Sequence, residues 1–328
     1  MPAMNPTFAA YLLRGLAARL VVFGLVFVLM SVLPRLLPGD TFDSLMASDL
    51  VLGLDAGTEA ALRERMGLSG GLWQQVGAET FAALRGELGF SLIHGAPVAD
   101  ILLGALPWTG LLVMLAVPLF LAMGLATGIE AGRAPGSRMD RAITLGMSVL
   151  ASIPSFVMAV FLLLLFGIVW PVLPSAGAEP VIPAADPLER LVAIARHALL
   201  PAIALSTHEL VRYFFILRSE TILVSRRAFL FNARARGIGG WRERCDYFGR
   251  NLMAVVFARL GQSIATLLSA ALYVEVIFAY PGIGRLMYQA VLDRDYPLLR
   301  GAIAVLAILV LLLNWIFDAL TEARARRG

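Results

Sequence analysis

Ionisable residues lie inside long apolar stretches of this chain, where a charge is costly and calls for a role. His208, Glu209 and Arg212 share one stretch, and Arg259 and Glu275 another. Arg212 follows Glu209 by three residues, so both occupy one helix face. An ion pair is the first reading of that spacing and a direct role with substrate the second. His197 and His208 are about three helical turns apart and share a face, which suits cavity lining or the capping of a span end. Ser263, Thr266 and Ser269 stand among Gly261, Ala265, Ala270 and Ala271, small residues that permit close helix contact or line a path. His208, Glu209, Arg212, Ser263, Thr266 and Ser269 are therefore the candidates for a pathway through the membrane.

Catalytic chemistry finds no footing here. His208-Glu209-Leu210-Val211-Arg212 carries arginine where a zinc-protease helix needs its second histidine. Gly261-Gln262-Ser263 offers a serine, but no histidine follows residue 208 to activate it. One cysteine, Cys245, excludes an internal disulfide and a C-x-x-C site, and three histidines leave little for a metal, so no metal site is expected. All 27 basic residues are arginines. Without lysine there is no Walker A loop, no protein-kinase site and no Schiff base. An ATP-driven process would need its ATPase on another polypeptide.

The elements that carry these residues are read from composition. Of 328 residues 59% are apolar and 15% charged, against about 25% charged in soluble domains. Six stretches approach the roughly 20 residues of a membrane-crossing helix: Phe8–Leu33, Ile101–Ile129, Ala142–Val169, His197–Leu217, Leu252–Phe278 and Gly301–Phe317. The expected fold is all-α with six transmembrane helices. Its divisions are a first helix over 1–37, an extracytoplasmic segment over 38–97 and a core over 98–328.

Arginine placement sets the orientation. Arg14 and Arg19, then Arg133, Arg138 and Arg141, and finally Arg324, Arg326 and Arg327 mark one side. The loop 218–250 adds eight more, whereas residues 39–95 hold eight acids against three arginines. Both termini and the 218–250 loop are therefore expected in the cytoplasm. The first span lacks a small-x-small cleavage site and reads as retained. The acidic 39–95 segment, with an amphipathic run over Thr58–Met66, reads as a small folded cap on the outer face.

Within 218–250, Ser225 to Arg236 contains no helix breaker, and Gly237 arrives where a helix would end on a left-handed residue. A second amphipathic helix is expected from Trp241 to about Asn251. Helix, glycine turn, helix is a shape suited to docking, although eight arginines could also be a topology signal against anionic lipid.

Phe231-Asn232-Ala233-Arg234-Ala235-Arg236-Gly237-Ile238 resembles the EAA-type segment of bacterial ABC importer permeases, in the dipeptide, oligopeptide and nickel variant. Val274-Glu275-Val276-Ile277-Phe278-Ala279-Tyr280-Pro281-Gly282-Ile283-Gly284 resembles that family's valine-glutamate to proline-glycine-x-glycine run. Arg294-Asp295-Tyr296-Pro297 matches its arginine-aspartate-tyrosine-proline sequence. Ser152-Ile153-Pro154-Ser155-Phe156 and His197-Ala198-Leu199-Leu200-Pro201-Ala202 are similarly placed. Two departures stand out: Asn232 lies near the position of the general motif's glutamate, and Thr321-Glu322-Ala323-Arg324 replaces an aspartate-proline-arginine tail.

The resemblance implies the type I importer fold and a permease subunit with no ATP site of its own. Residues 231–238 would be the helix that couples to ATPase subunits. Phe231, Ala233 and Ile238 would pack in a groove there, while Arg234 and Arg236 pair with carboxylates or helix C-termini. Glu275, Tyr280, Pro281, Gly282 and Gly284, with Arg294, Asp295, Tyr296 and Pro297, would form an outer gate and docking face for a substrate-binding protein. Glu275 would hold the Tyr280 to Gly284 turn by accepting backbone or arginine hydrogen bonds, or serve as a gate. Implied partners are a second permease, two ATPase subunits that hold ATP and Mg, the binding protein and membrane lipid; no nucleic acid is expected. Peptides are the first cargo implied, with nickel or metal chelates, glutathione and opine-like solutes as alternatives. A self-contained channel or secondary transporter is the rival class. It predicts internal symmetry with broken helices in both halves, which the sequence does not show.

Overall fold

The computed structural model describes residues 6–32, 76–77, 80–83, 85–182 and 185–325. Nine helices and one hairpin account for most of these residues: α1 Pro6–Val32, β1 Phe90–Ser91, β2 Ala96–Pro97, α2 Val98–Arg133, α3 Arg138–Ala151, α4 Ser155–Val169, α5 Pro187–Ser225, α6 Ala228–Ala235, α7 Gly240–Ile277, α8 Ile283–Leu292 and α9 Tyr296–Ala325. Thr58–Met66 and nearly all of the expected outer cap lie outside the described residues.

The chain is an all-α membrane protein. Arg14–Val32, Val98–Arg133, Gly240–Ile277 and Tyr296–Leu320 are each long and apolar enough to cross a bilayer, and α3 with α4 makes a fifth if the pair is one span. Three expectations change. The single helix over Ala142–Val169 is two helices bent by 98°, because Pro154 has no amide to continue the ladder and pushes Ile153 out of the helical region. The expected fourth span, His197–Leu217, is the centre of a 39-residue helix that is not among those long and apolar enough to cross a membrane. Asp186 caps its start by accepting from the Glu189 amide, Pro187 occupies the first turn, and the helix runs on to Ser225, so the interhelical loop is shorter than 218–250. The helix expected over Trp241–Asn251 does not end: it continues into the fifth span through a π-helical segment, Glu243–Gly249. A second π-helical segment, Leu163–Val169, closes α4.

The helices fall into two compact units. One combines the described residues up to Pro107 with Gly282–Trp315. Its core is Val98, Leu102, Ala105, Ile283, Ala290, Leu298 and Ala302. Gly301 lets α9 lie directly on α2: a Cβ there would stand 2.5 Å from Val98 Cγ1. The antiparallel hairpin pairs Phe90 with Pro97 and Ser91 with Ala96.

The other unit comprises Trp108–Pro281 and the helix from Ile316 onward. It is built on α5, against which α3, α4 and α7 pack. Gly124, Gly128 and Gly132 recur every four residues on α2 and meet Tyr213, Leu217 and Thr221 of α5. This small-residue stripe brings the two backbones into close approach. Gly261 does the same for Phe317, whose Cβ would be 2.7 Å from an added methyl.

Added bulk in this seam has nowhere to go. A Cβ at Gly132 would sit 2.6 Å from Thr221 Cβ and 2.7 Å from the Arg218 carbonyl oxygen. Gly132→Ala is expected to destabilise the detergent-solubilised protein by about 1–3 kcal/mol. Gly136→Ala is a control at a glycine whose added Cβ meets open space, though its positive φ carries a smaller strain of its own. Thermal unfolding of the two variants makes the comparison.

Candidate functional site

Helix α6 is amphipathic in its contacts. Leu230 and Ala233 are buried and Ile238 is half-buried, whereas Asn232, Arg234, Ala235, Arg236 and Gly237 are exposed. Phe231 is 74% exposed, a large apolar side chain presented on the outer side of the helix. The helix ends as expected: Gly237 takes a left-handed φ of 75°, and the Ile238 amide reaches back to the Ala233 carbonyl at 3.0 Å. Ala233 thus faces its own chain and is not available to an outside groove.

An ion network fastens this helix to its neighbours. The Glu243 carboxylate, nearly fully buried, accepts from Arg234 of α6 at 2.6 Å and from Arg133 at the end of α2 at 3.0 Å. Arg133 also reaches Glu130 at 3.2 Å, and Glu130 in turn accepts from Arg244. Arg234 is therefore engaged inside the chain, while Arg236 stays on the exposed side. Nearby, Asp140 at the start of α3 accepts from two nitrogens of Arg218 from α5, Nε at 2.6 Å and Nη2 at 2.8 Å. Such planar two-point pairing is what arginine does and lysine cannot.

A second cluster lies between α5 and α7. Arg212 donates to Glu209 at 3.1 Å, the pairing their spacing predicts, and to the Gln262 side-chain oxygen at 3.0 Å. Ser263 is buried and bonds the Tyr213 hydroxyl at 3.2 Å. Thr266 and Ser269 donate to carbonyls of their own helix, at Gln262 and Ala265. His208 is exposed, and His197 bonds the Ala193 carbonyl one turn earlier at 2.7 Å.

The Glu275 side chain is fully buried and accepts from the Thr109 hydroxyl at 2.7 Å, while its backbone carbonyl accepts the Tyr280 amide at 2.8 Å. Ala279 turns through a left-handed φ of 49° to make the bend before Pro281. The Tyr280 ring packs edge-on to Trp108 at 6.0 Å. Burial, then the charge of Glu275, pushes its phenol above the usual 10, so it stays neutral in the physiological range. In the other unit, Asp295 caps α9 by accepting the Leu298 amide at 3.1 Å and also accepts from the Ser91 hydroxyl. His94 lies beside both, 3.1 Å from Ser91 Oγ and 3.7 Å from Asp295. Gly282 and Gly284 are buried, Tyr296 and Pro297 half-buried, and Pro281 and Arg294 exposed.

Long apolar helices whose buried carboxylates are matched by hydrogen bonds, and a short amphipathic helix with an exposed aromatic, define an integral membrane protein. Residues 121–327 match the family described as binding-protein-dependent transport system inner membrane component, and the chain belongs to that family. It is similar to the putative peptide transport system permease protein BAB2_1050 of Brucella abortus, at 29% identity over 95% of this chain and 96% of the relative. The Di/tripeptide transport system permease protein DppB of Pseudomonas aeruginosa is 30% identical over the same shares. The dipeptide transport system permease protein DppB of Escherichia coli is 27% identical over 94% and 96%. The chain is thus an integral inner-membrane component of a binding-protein-dependent transport system.

Sequence reasoning missed Glu243, Glu130, Thr109 and Gln262 as partners, and the Asp140–Arg218 pair. Glu243→Ala leaves Arg133 and Arg234 without their shared acceptor. The expected loss is about 1–3 kcal/mol, together with faster trypsin cleavage after Arg234 and Arg236, read by limited proteolysis with mass spectrometry.

Proposed function

We propose that this chain is one of two permease subunits of an ATP-driven importer of di- and oligopeptides. The observation that carries the reading is similarity over nearly the whole length to permeases named for peptide, dipeptide and di/tripeptide transport. A second permease would complete the path, two ATPase subunits would hold ATP and Mg, and a substrate-binding protein would deliver cargo on the outer side. Both termini and α6 face the cytoplasm in this reading, in line with the arginine-rich segments.

Helix α6 would be the contact with an ATPase subunit. Leu230 and Ala233 root it in the chain, and Phe231 projects at 74% exposure with Arg236 beside it. An aromatic that fills a partner's groove is the usual kind of interface anchor. The ion network through Glu243 would pass a displacement of α6 to α2 and α7.

Two measurements test this. Purification in mild detergent is expected to recover a second permease and ATPases that hydrolyse ATP; recovery of the chain alone would overturn the reading. Phe231→Asp is expected to leave membrane insertion and yield unchanged, because the ring is 74% exposed. ATP-dependent peptide uptake in proteoliposomes should fall at least about tenfold, in keeping with the loss of an interface anchor.

A further inference from the structure

Glu209 is 1% exposed, and only one of its two oxygens is used: Oε1 accepts from Arg212, while Oε2 is buried with no hydrogen-bond partner. An unmatched carboxylate oxygen in an apolar span is expensive. Its neighbour is under-used in the opposite sense. Arginine has five donors, and Arg212 spends one on Glu209 and one on Gln262. Its side chain remains 26% exposed, at the edge of the α5–α7 pair and not within it. Gln262, Arg259 and His208 are also exposed there. Ser263, Tyr213 and the Arg259 carbonyl form the buried floor of hydrogen bonds behind them.

The charge at this place does not balance. Among the described residues, Glu209 is the one carboxylate beside Tyr213, where Arg212 and Arg259 both act, and Gln262 is neutral. Charged side chains at membrane depth face a bundle interior or a water-filled cavity, not lipid. Glu209 below and Gln262 beside hold the Arg212 fork in one orientation, so its free edge is already aimed when an anion arrives. Partial neutralisation by Glu209 keeps the site weak, as a path requires when cargo must enter and also leave.

We propose that Arg212, oriented by Glu209 and Gln262 and assisted by Arg259, binds the free carboxylate of the cargo on the translocation path. For a peptide this is its C-terminus. The inference rests on the importer reading above and adds to it a chemical requirement inside the membrane, separate from any selection by a binding protein.

The test uses the assembled complex in nanodiscs, without binding protein. Cys245→Ser removes the native thiol, and Ala258→Cys, at an exposed position one turn before Gln262, reports occupancy by its rate of maleimide labelling. Dialanine is expected to slow labelling saturably, and dialanine amide to do so about tenfold less effectively, as loss of a charge-assisted hydrogen bond implies. Adding Glu209→Gln should lower the dialanine concentration for half-protection severalfold. Adding Glu209→Gln and Arg212→Gln together, which leaves the net charge of the cluster unchanged, should make acid and amide equivalent. Equal effects of acid and amide in the parent would overturn the proposal. So would labelling that is slow throughout, because the partner permease's side chains cover the site, or fast throughout, because only lipid headgroups meet it. Uptake of radiolabelled dialanine with binding protein and ATP separates this from the larger reading. Uptake without protection sinks the Arg212 site alone, while no uptake and no ATP hydrolysis sinks the importer.

Discussion

Five carboxylates among the described residues, those of Asp140, Glu209, Glu243, Glu275 and Asp295, are almost wholly out of contact with solvent, and each has to be matched where it stands. Removing a charge from water costs several kcal/mol even after relaxation, and an unmatched partner costs more. The matches hold separate helices together. Asp140 and Arg218 tie α3 to α5, Glu243 ties α2 and α6 to α7, and Glu209 with Gln262 ties α5 to α7 through Arg212. Hydroxyls serve as well: Thr109 donates to Glu275 and Ser91 to Asp295. An all-arginine basic complement suits this work, because one planar fork can meet two acceptors on two elements.

Close packing supplies what the ion pairs cannot. Between apolar helices in lipid there is little hydrophobic drive, so association depends on contact at short range. Glycines 124, 128 and 132 give α2 and α5 that contact, and they lead to the end of α2 where Glu130 and Arg133 enter the ion network. A backbone seam thus ends in a charged clasp, and the clasp holds the short helix α6, whose Phe231 is 74% exposed, at a chain reversal rich in arginine.

Much of this was legible in the sequence. The apolar stretches located helices, Gly237 located the end of α6 and the three-residue spacing found Glu209 and Arg212. Arg294-Asp295-Tyr296-Pro297 was visible as a pattern, but its work as a helix cap latched to Ser91 was not, since the latch closes over 204 residues. Asp140 and Arg218 are 78 apart and Glu130 and Arg244 are 114 apart, and no local periodicity links such positions. Helix ends were misjudged for another reason. Apolar length defines where a helix crosses lipid, whereas caps such as Asp186-Pro187 define where it starts, and α5 exceeds its apolar centre at both ends. Pro154 stood in plain sight within Ser152-Ile153-Pro154, yet the uninterrupted apolar run around it hid the 98° bend.

The π-helical segment Glu243–Gly249 gives α7 a phase shift. A π turn is equivalent to one residue inserted into α winding, and one residue is about 100° of rotation. The side chains before the segment are therefore turned relative to those after it, as two gears on one shaft might be keyed at different angles. Glu243 can face Arg133 and Arg234 while Gln262 and Ser263, further along the same helix, face Arg212 and Tyr213. Shedding one residue to restore uninterrupted α winding would keep nearly the whole composition and hydropathy of α7, and would leave one of its two polar faces pointing the wrong way.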